Sequence, residues 1–215
     1  MASLNWIGKE AVVNHDKEVP FKLLEKVPSV SVGKESKNLV IHGDNLEALK
    51  ALMPFYKGKV KCIYIDPPYN TGNEGWKYND KVNSPKIREW LEKVVGREGE
   101  DLTRHDKWLC MMYPRLKLLR DLLRDDGGIF ISIDYNEEAH ARLLLAEIFG
   151  ANNYRNTFVV SRVKKNIQER ERVRALNFGY NSILFFAKSE KCLIKPPRKL
   201  QKKEQRWHAE HCLRY

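Results

Sequence analysis

Asp66, Pro67, Pro68 and Tyr69 follow one another without interruption, and their types suit chemistry on a flat, polar, planar group. A carboxylate can accept one N–H of an amine, and a backbone carbonyl can accept another. Proline has no backbone N–H and holds φ near about −65°. Pro68 also restricts Pro67 to an extended conformation, so the Pro67 carbonyl is aimed in advance. The Tyr69 ring offers a face on which a planar group could stack. The plain alternative is an acid that caps a helix and an aromatic packed beside a proline turn.

The residues that must position this tetrapeptide lie just before it. Cys62, Ile63, Tyr64 and Ile65 form the short apolar run expected of a strand covered on both faces. The two prolines stop that strand, so a carboxylate and a ring stand at the carboxyl end of a central strand. Open α/β sheets bind their ligands at that end. Upstream, Leu39-Val40-Ile41 predicts a strand, and Asp44 or Asn45 predicts the cap of a helix bearing Leu46, Leu49, Leu52 and Met53. Pro54 and Gly58 are expected to close that helix, giving a β-α-β unit with adjacent parallel strands.

Downstream, residues 70–104 form a long polar stretch, with a helix expected over about 85–95. It reads equally as a lid over substrate and as a surface excursion. An amphipathic helix over 105–124 follows, which Pro114 should kink or divide. Asp125 to Gly128 should end it, and Ile129 to Ile133 predicts a second buried strand with Asp134 at the same rim as Asp66. A helix over 137–149, with Gly150 as its stop, and strands at 157–163 and 182–187 complete the body. Residues 1–37 read as an arm that packs on the body or on a partner.

Charge is unevenly spread. Residues 1–150 hold 23 basic and 23 acidic side chains, whereas residues 151–215 hold 16 and 5, so the entire net +11 lies in the last third. A neutral body with a basic end suits a polyanion, nucleic acid first, although a merely solvated basic tail explains charge alone equally well. No apolar run of about 18 residues exists and the N-terminus lacks a signal pattern, so no membrane partner and a cytoplasmic location are expected. Cys62 and Cys110 read as small core residues. Cys192 and Cys212 with His208 and His211 match no zinc spacing, and no metal site is expected.

Four stretches together carry a resemblance. Asp66-Pro67-Pro68-Tyr69 resembles the catalytic tetrapeptide of amino-methylating DNA methyltransferases. Asn38 to Leu49, Ile63 to Gly72, Trp108 to Leu116 and Asp126 to Asp134 match in order the modification subunit of type III restriction–modification systems. That subunit belongs to the permuted class, in which the catalytic half precedes the cofactor-binding half. The resemblance covers roughly residues 38–190.

The resemblance implies a Rossmann-like α/β methyltransferase fold with a mostly parallel sheet flanked by helices. A basic segment over 191–215 would lead toward target recognition. It implies methyl transfer from S-adenosylmethionine to the exocyclic amine of an adenine flipped out of double-stranded DNA. Asp66, Pro67, Pro68 and Tyr69 would be catalytic, Asp44, Asn45 and Asp134 would bind cofactor, and Asn70, Lys164, Lys165, Arg172 and Arg174 would contact DNA. A homodimer and a helicase-nuclease restriction subunit are the implied protein partners. The family's glycine-rich cofactor loop has no counterpart here, so the chain reads as the front half of a longer enzyme. A non-catalytic DNA-binding remnant and an N4-cytosine enzyme remain the alternatives, with RNA bases or a protein glutamine a more distant substrate class.

Overall fold

In the computed structural model, residues 4–33, 37–70, 104–162 and 179–195 are described. Two one-turn helices, α1 (Lys9–Val12) and α2 (His15–Glu18), precede α3 (Asn45–Tyr56), β1 (Val60–Ile65) and α4 (Arg104–Leu122). The chain continues through β2 (Leu123–Ile133), α5 (Glu138–Phe149), β3 (Tyr154–Ser161) and β4 (Tyr180–Ala187). The expected helix at 85–95 and the basic stretch 164–174 lie outside the described residues, as do positions 196–215. None of the described helices is long and apolar enough to cross a membrane.

The strands form one sheet in the order β1-β2-β4-β3. β1 pairs parallel with β2, while β2 with β4 and β3 with β4 are antiparallel. The α/β class holds, and the described sheet is mixed, in contrast to the mostly parallel one expected. The difference has two sources. β3 and β4 are antiparallel neighbours, and residues 39–41 join no strand. Val40 is fully exposed and Leu39 is largely so, because no described strand lies beside them. β1 is therefore an edge strand among the described residues. Only Ile63 in it is buried, and Cys62, expected in the core, is exposed.

The helices bury what their spacing foretells. Asp44 caps α3 by accepting from the backbone N–H groups of Leu46 and Glu47 at 2.9 and 3.2 Å. The helix runs through Pro54 to Tyr56, since a proline in the last turn forfeits a single backbone bond. α4 likewise runs through Pro114 as one element. There the neighbouring Met111 carbonyl accepts from Arg115 Nη1 at 2.7 Å, and Trp108, Cys110, Leu116 and Leu119 are buried on either side. The main core joins α4 and α5 to β2 and β4, with Trp6 and Val12 of the N-terminal arm sealed into it. A smaller cluster of Val19, Leu46, Met53, Leu118 and Leu122 fastens α3 to α4.

β2 begins earlier than expected. Leu123 pairs with Val60 and Gly128 with Cys62, so the intervening acidic residues bulge from the ladder. Gly127 and Gly128 act as spacers at that point. A Cβ would come within 2.8 Å of the Lys61 carbonyl at Gly127 and within 2.6 Å of the Phe185 ring at Gly128. Leu144→Ala, at a fully buried α5 position, should cost about 2–5 kcal/mol in urea unfolding. Val40→Ser should stay within about 0.5 kcal/mol, and a large loss there would show that residues 39–41 are packed after all.

Candidate functional site

β1 and β2 run in parallel with Ile65 opposite Ile131, so the chain leaves β1 at Asp66 level with Ser132. Pro67 is buried and Asp66 is exposed. Three side-chain contacts then hold the turn. The Tyr69 hydroxyl lies 2.9 Å from Ser132 Oγ. The Trp108 indole N–H donates to the Pro68 carbonyl at 2.7 Å. Asn70, at φ +56°, occupies the left-handed region that asparagine tolerates better than most residues. Its amide donates to the Arg104 carbonyl at 3.0 Å and to Glu137 Oε1.

Burial pushes the Tyr69 hydroxyl above its ordinary pKa, and the Asp66 carboxylate adds to that shift while the Ser132 bond opposes it. Tyr69 is thus a neutral ring at physiological pH, tethered at its far end, beside an exposed carboxylate. Such an arrangement can stack a planar base and accept an amine proton within the same small space.

The sequence-derived candidates separate into three sets. Asp66, Pro67, Pro68 and Tyr69 form the turn just described. Asp44 and Asn45 lie together at the start of α3, where Asn45 Oδ1 accepts from Arg115 Nε at 2.6 Å and Asp44 stands 4.0 Å from the same guanidinium. Burial lowers the Arg115 pKa and Asp44 partly restores it. Asp134 is buried at the end of β2. Its two oxygens accept from the Asn136 backbone N–H at 2.9 Å and the Asn136 amide at 2.7 Å. Asn70 is only 6% exposed, with its amide directed into the protein. Lys164, Lys165, Arg172 and Arg174 lie outside the described residues.

Sequence reasoning missed the residues that support the turn. Ser132 stands within an apolar strand run and Trp108 within an amphipathic helix, and neither position signals a polar partner in the turn. Glu137, wholly buried, accepts from Asn70 and meets His105 Nδ1 at 2.7 Å and His140 Nδ1 at 2.9 Å. The Glu137-x-x-His140 spacing at a helix start was the one signal available, since residues three apart share a helix face.

A family model described as DNA methylase matches residues 60–213, and the chain belongs to that family of N6 and N4 DNA methylases. It is 42% identical over 166 residues to the type III restriction–modification enzyme EcoP15I Mod subunit of Escherichia coli. That match covers 71% of this chain and 26% of the relative. Its identity to the EcoPI Mod subunit of Escherichia phage P1 is also 42%, over 71% of this chain and 25% of that protein. The type II methyltransferase M.KpnI of Klebsiella pneumoniae is 29% identical over 78% of this chain and 36% of its own length. The chain thus spans about a quarter of the two Mod subunits.

The raised Tyr69 pKa makes a pH-dependent expectation. Its stabilising contribution is fully present below the unfolded value near 10 and is lost as the pH rises through the higher folded-state value. Difference absorbance titration of the protein against Tyr69→Phe should show one phenol ionising above pH 10. Ionisation at or below that value would remove the buried setting assigned to it.

Proposed function

We propose that this chain supplies the base-holding part of an S-adenosylmethionine-dependent DNA methyltransferase acting on the N6 amine of adenine, within a type III restriction–modification system. The observation that carries the reading is the Asp66–Tyr69 turn, held against β2 and α4 with its carboxylate exposed. The sequence relatives, named as Mod subunits, support the restriction–modification context. An aspartate at the first position of the turn favours adenine over cytosine.

The exocyclic amine of adenine shares its lone pair with the ring and is a poor nucleophile. Asp66 accepts one of its N–H groups and the Pro67 carbonyl accepts the other, drawing the nitrogen toward a tetrahedral geometry. Those acceptors are fixed before the base arrives, so the reaction does not have to organise them. Tyr69 stacks on the base after it leaves the duplex, where the amine is unreachable. S-adenosylmethionine supplies an electrophilic methyl group on a sulfonium. The amine lone pair would form the N–CH3 bond as the S–CH3 bond breaks and the neutral thioether leaves, and the Asp66 carboxylate would take the proton that the nitrogen then loses.

Toward the cofactor, the donor set at the start of α3 fits a polar, partly cationic molecule through the exposed side chain of Asp44. Asn45 acts there by holding Arg115. The oxygens of Asp134 are already engaged, so it orders the entrance to α5, its carbonyl accepting from the Glu138 N–H at 3.1 Å. Double-stranded DNA as substrate, a homodimer and a helicase-nuclease restriction subunit belong to this same reading. Lys164, Lys165, Arg172 and Arg174 would meet DNA phosphates, and Asn70 would serve DNA contact by setting the end of the turn.

Tritium transfer from labelled S-adenosylmethionine to unmethylated genomic DNA tests the roles. Asp66→Ala should lower transfer by about a hundredfold or more, as loss of one transition-state acceptor does, with DNA affinity unchanged. Full transfer by that variant would refute the role given to Asp66. Reversing Lys164, Lys165 and Arg172 to Glu should flatten the salt dependence of DNA binding by about 0.9 in log–log slope for each lost phosphate contact. An unaltered slope would place the basic segment away from DNA.

A further inference from the structure

Glu137 poses an electrostatic problem that the turn alone does not explain. Its carboxylate is wholly buried, and among the described residues no lysine or arginine forms an ion pair with it. Its ion-pair partners there are the imidazoles of His105 and His140. Buried charges are paired or bound to metal ions. A cation held among the three groups would balance it.

The donor types and their convergence favour the cation. One donor atom from each of His105, Glu137 and His140 lies within 4.8 Å of the others, and the two rings sit 4.7 Å apart at 40°. Two imidazole nitrogens and one carboxylate oxygen suit borderline first-row ions, whereas magnesium and calcium prefer all-oxygen sets. The imidazole side chains are 33% and 34% exposed, which gives an ion access from solvent. The Asn70 amide donates to Glu137 Oε1, the kind of outer contact that orients a ligating carboxylate.

We propose that His105, Glu137 and His140 form a site for a divalent first-row transition ion, zinc in the first place, with water completing the coordination. In the ion-free chain each Nδ1 lies within hydrogen-bonding distance of a Glu137 oxygen. Binding moves the ring proton to Nε2 and turns the Nδ1 lone pair to the ion, so no redox change is involved. The 2.7 and 2.9 Å contacts open by roughly half an ångström to admit ligand bonds of about 2.0–2.1 Å. The ion fastens the start of α4 to the start of α5. Through Asn70 it also fastens the residue that follows the Asp66–Tyr69 turn. The site is a positioning device, and it does not depend on which base, if any, the turn receives.

Zinc titration of the chelator-stripped 215-residue chain by calorimetry tests this directly. A parallel chain carrying His208→Ala, His211→Ala and Cys212→Ser removes the other clustered donors. One equivalent of zinc should bind both chains, and His105→Ala or His140→Ala should weaken binding by about tenfold or more. Cobalt should give visible bands without thiolate charge transfer in the near ultraviolet. Circular dichroism checks that each variant folds, and where one does not, the cobalt spectrum of the unaltered chain decides. Failure of the folded chain to bind zinc would overturn the proposal, as would undiminished binding by the folded histidine variants or a thiolate-type cobalt spectrum. Each of these results is independent of methyl transfer.

Discussion

Everything proposed for this molecule depends on how a turn with few hydrogen bonds of its own is fixed in place. Pro67 and Pro68 donate nothing, so the backbone after β1 cannot be secured by extending a ladder. Side chains from three other elements do that work. Ser132 from β2 meets the Tyr69 hydroxyl, Trp108 from α4 donates to the Pro68 carbonyl, and Glu137 before α5 accepts from Asn70. All three anchors are buried. Trp108 is almost completely buried, and the strand bearing Ser132 lies between β1 and β4. The apolar core thus sets the geometry of a polar site at its edge.

That dependence explains which features were legible in the sequence. The tetrapeptide was readable because its chemistry is local, with two prolines forcing a stop and a carboxylate and ring beside them. The cap of α3 was readable for the same reason, since Asp44 needs only the next three residues. The length of α4 and the stop of α5 at Gly150 follow from helical spacing and one glycine at φ +93°. What escaped depends on distant partners. Residues 39–41 have a strand's composition but no described neighbour to pair with. Gly127 and Gly128 looked like a turn, yet they leave room for the Lys61 carbonyl and the Phe185 ring. Glu137 and His140 share a local spacing, but only the packing of α4 against α5 brings His105 to them.

Electrostatics divides the chain in a corresponding way. The first 150 residues are neutral overall, and within them charges are used pairwise for assembly. Lys9 with Glu147 and Lys117 with Asp16 bind the N-terminal arm to the body at 2.8 and 2.6 Å. The last third carries the whole positive excess, although Lys191 pairs with Asp125 of the body at 3.3 Å. It suits contact with phosphates, which fix orientation without reading sequence. Membership of the DNA methylase family agrees with a basic region suited to a polyanion.

The central claim is that Asp66, the Pro67 carbonyl and Tyr69 hold the amine of a flipped adenine. Nucleoside mass spectrometry is the most direct measure of it. Unmethylated genomic DNA would be incubated with the protein and isotopically labelled S-adenosylmethionine, then digested to nucleosides. The expected product is labelled N6-methyldeoxyadenosine alone. Labelled N4-methyldeoxycytidine in its place would contradict the claim, because the turn would then be holding a different base.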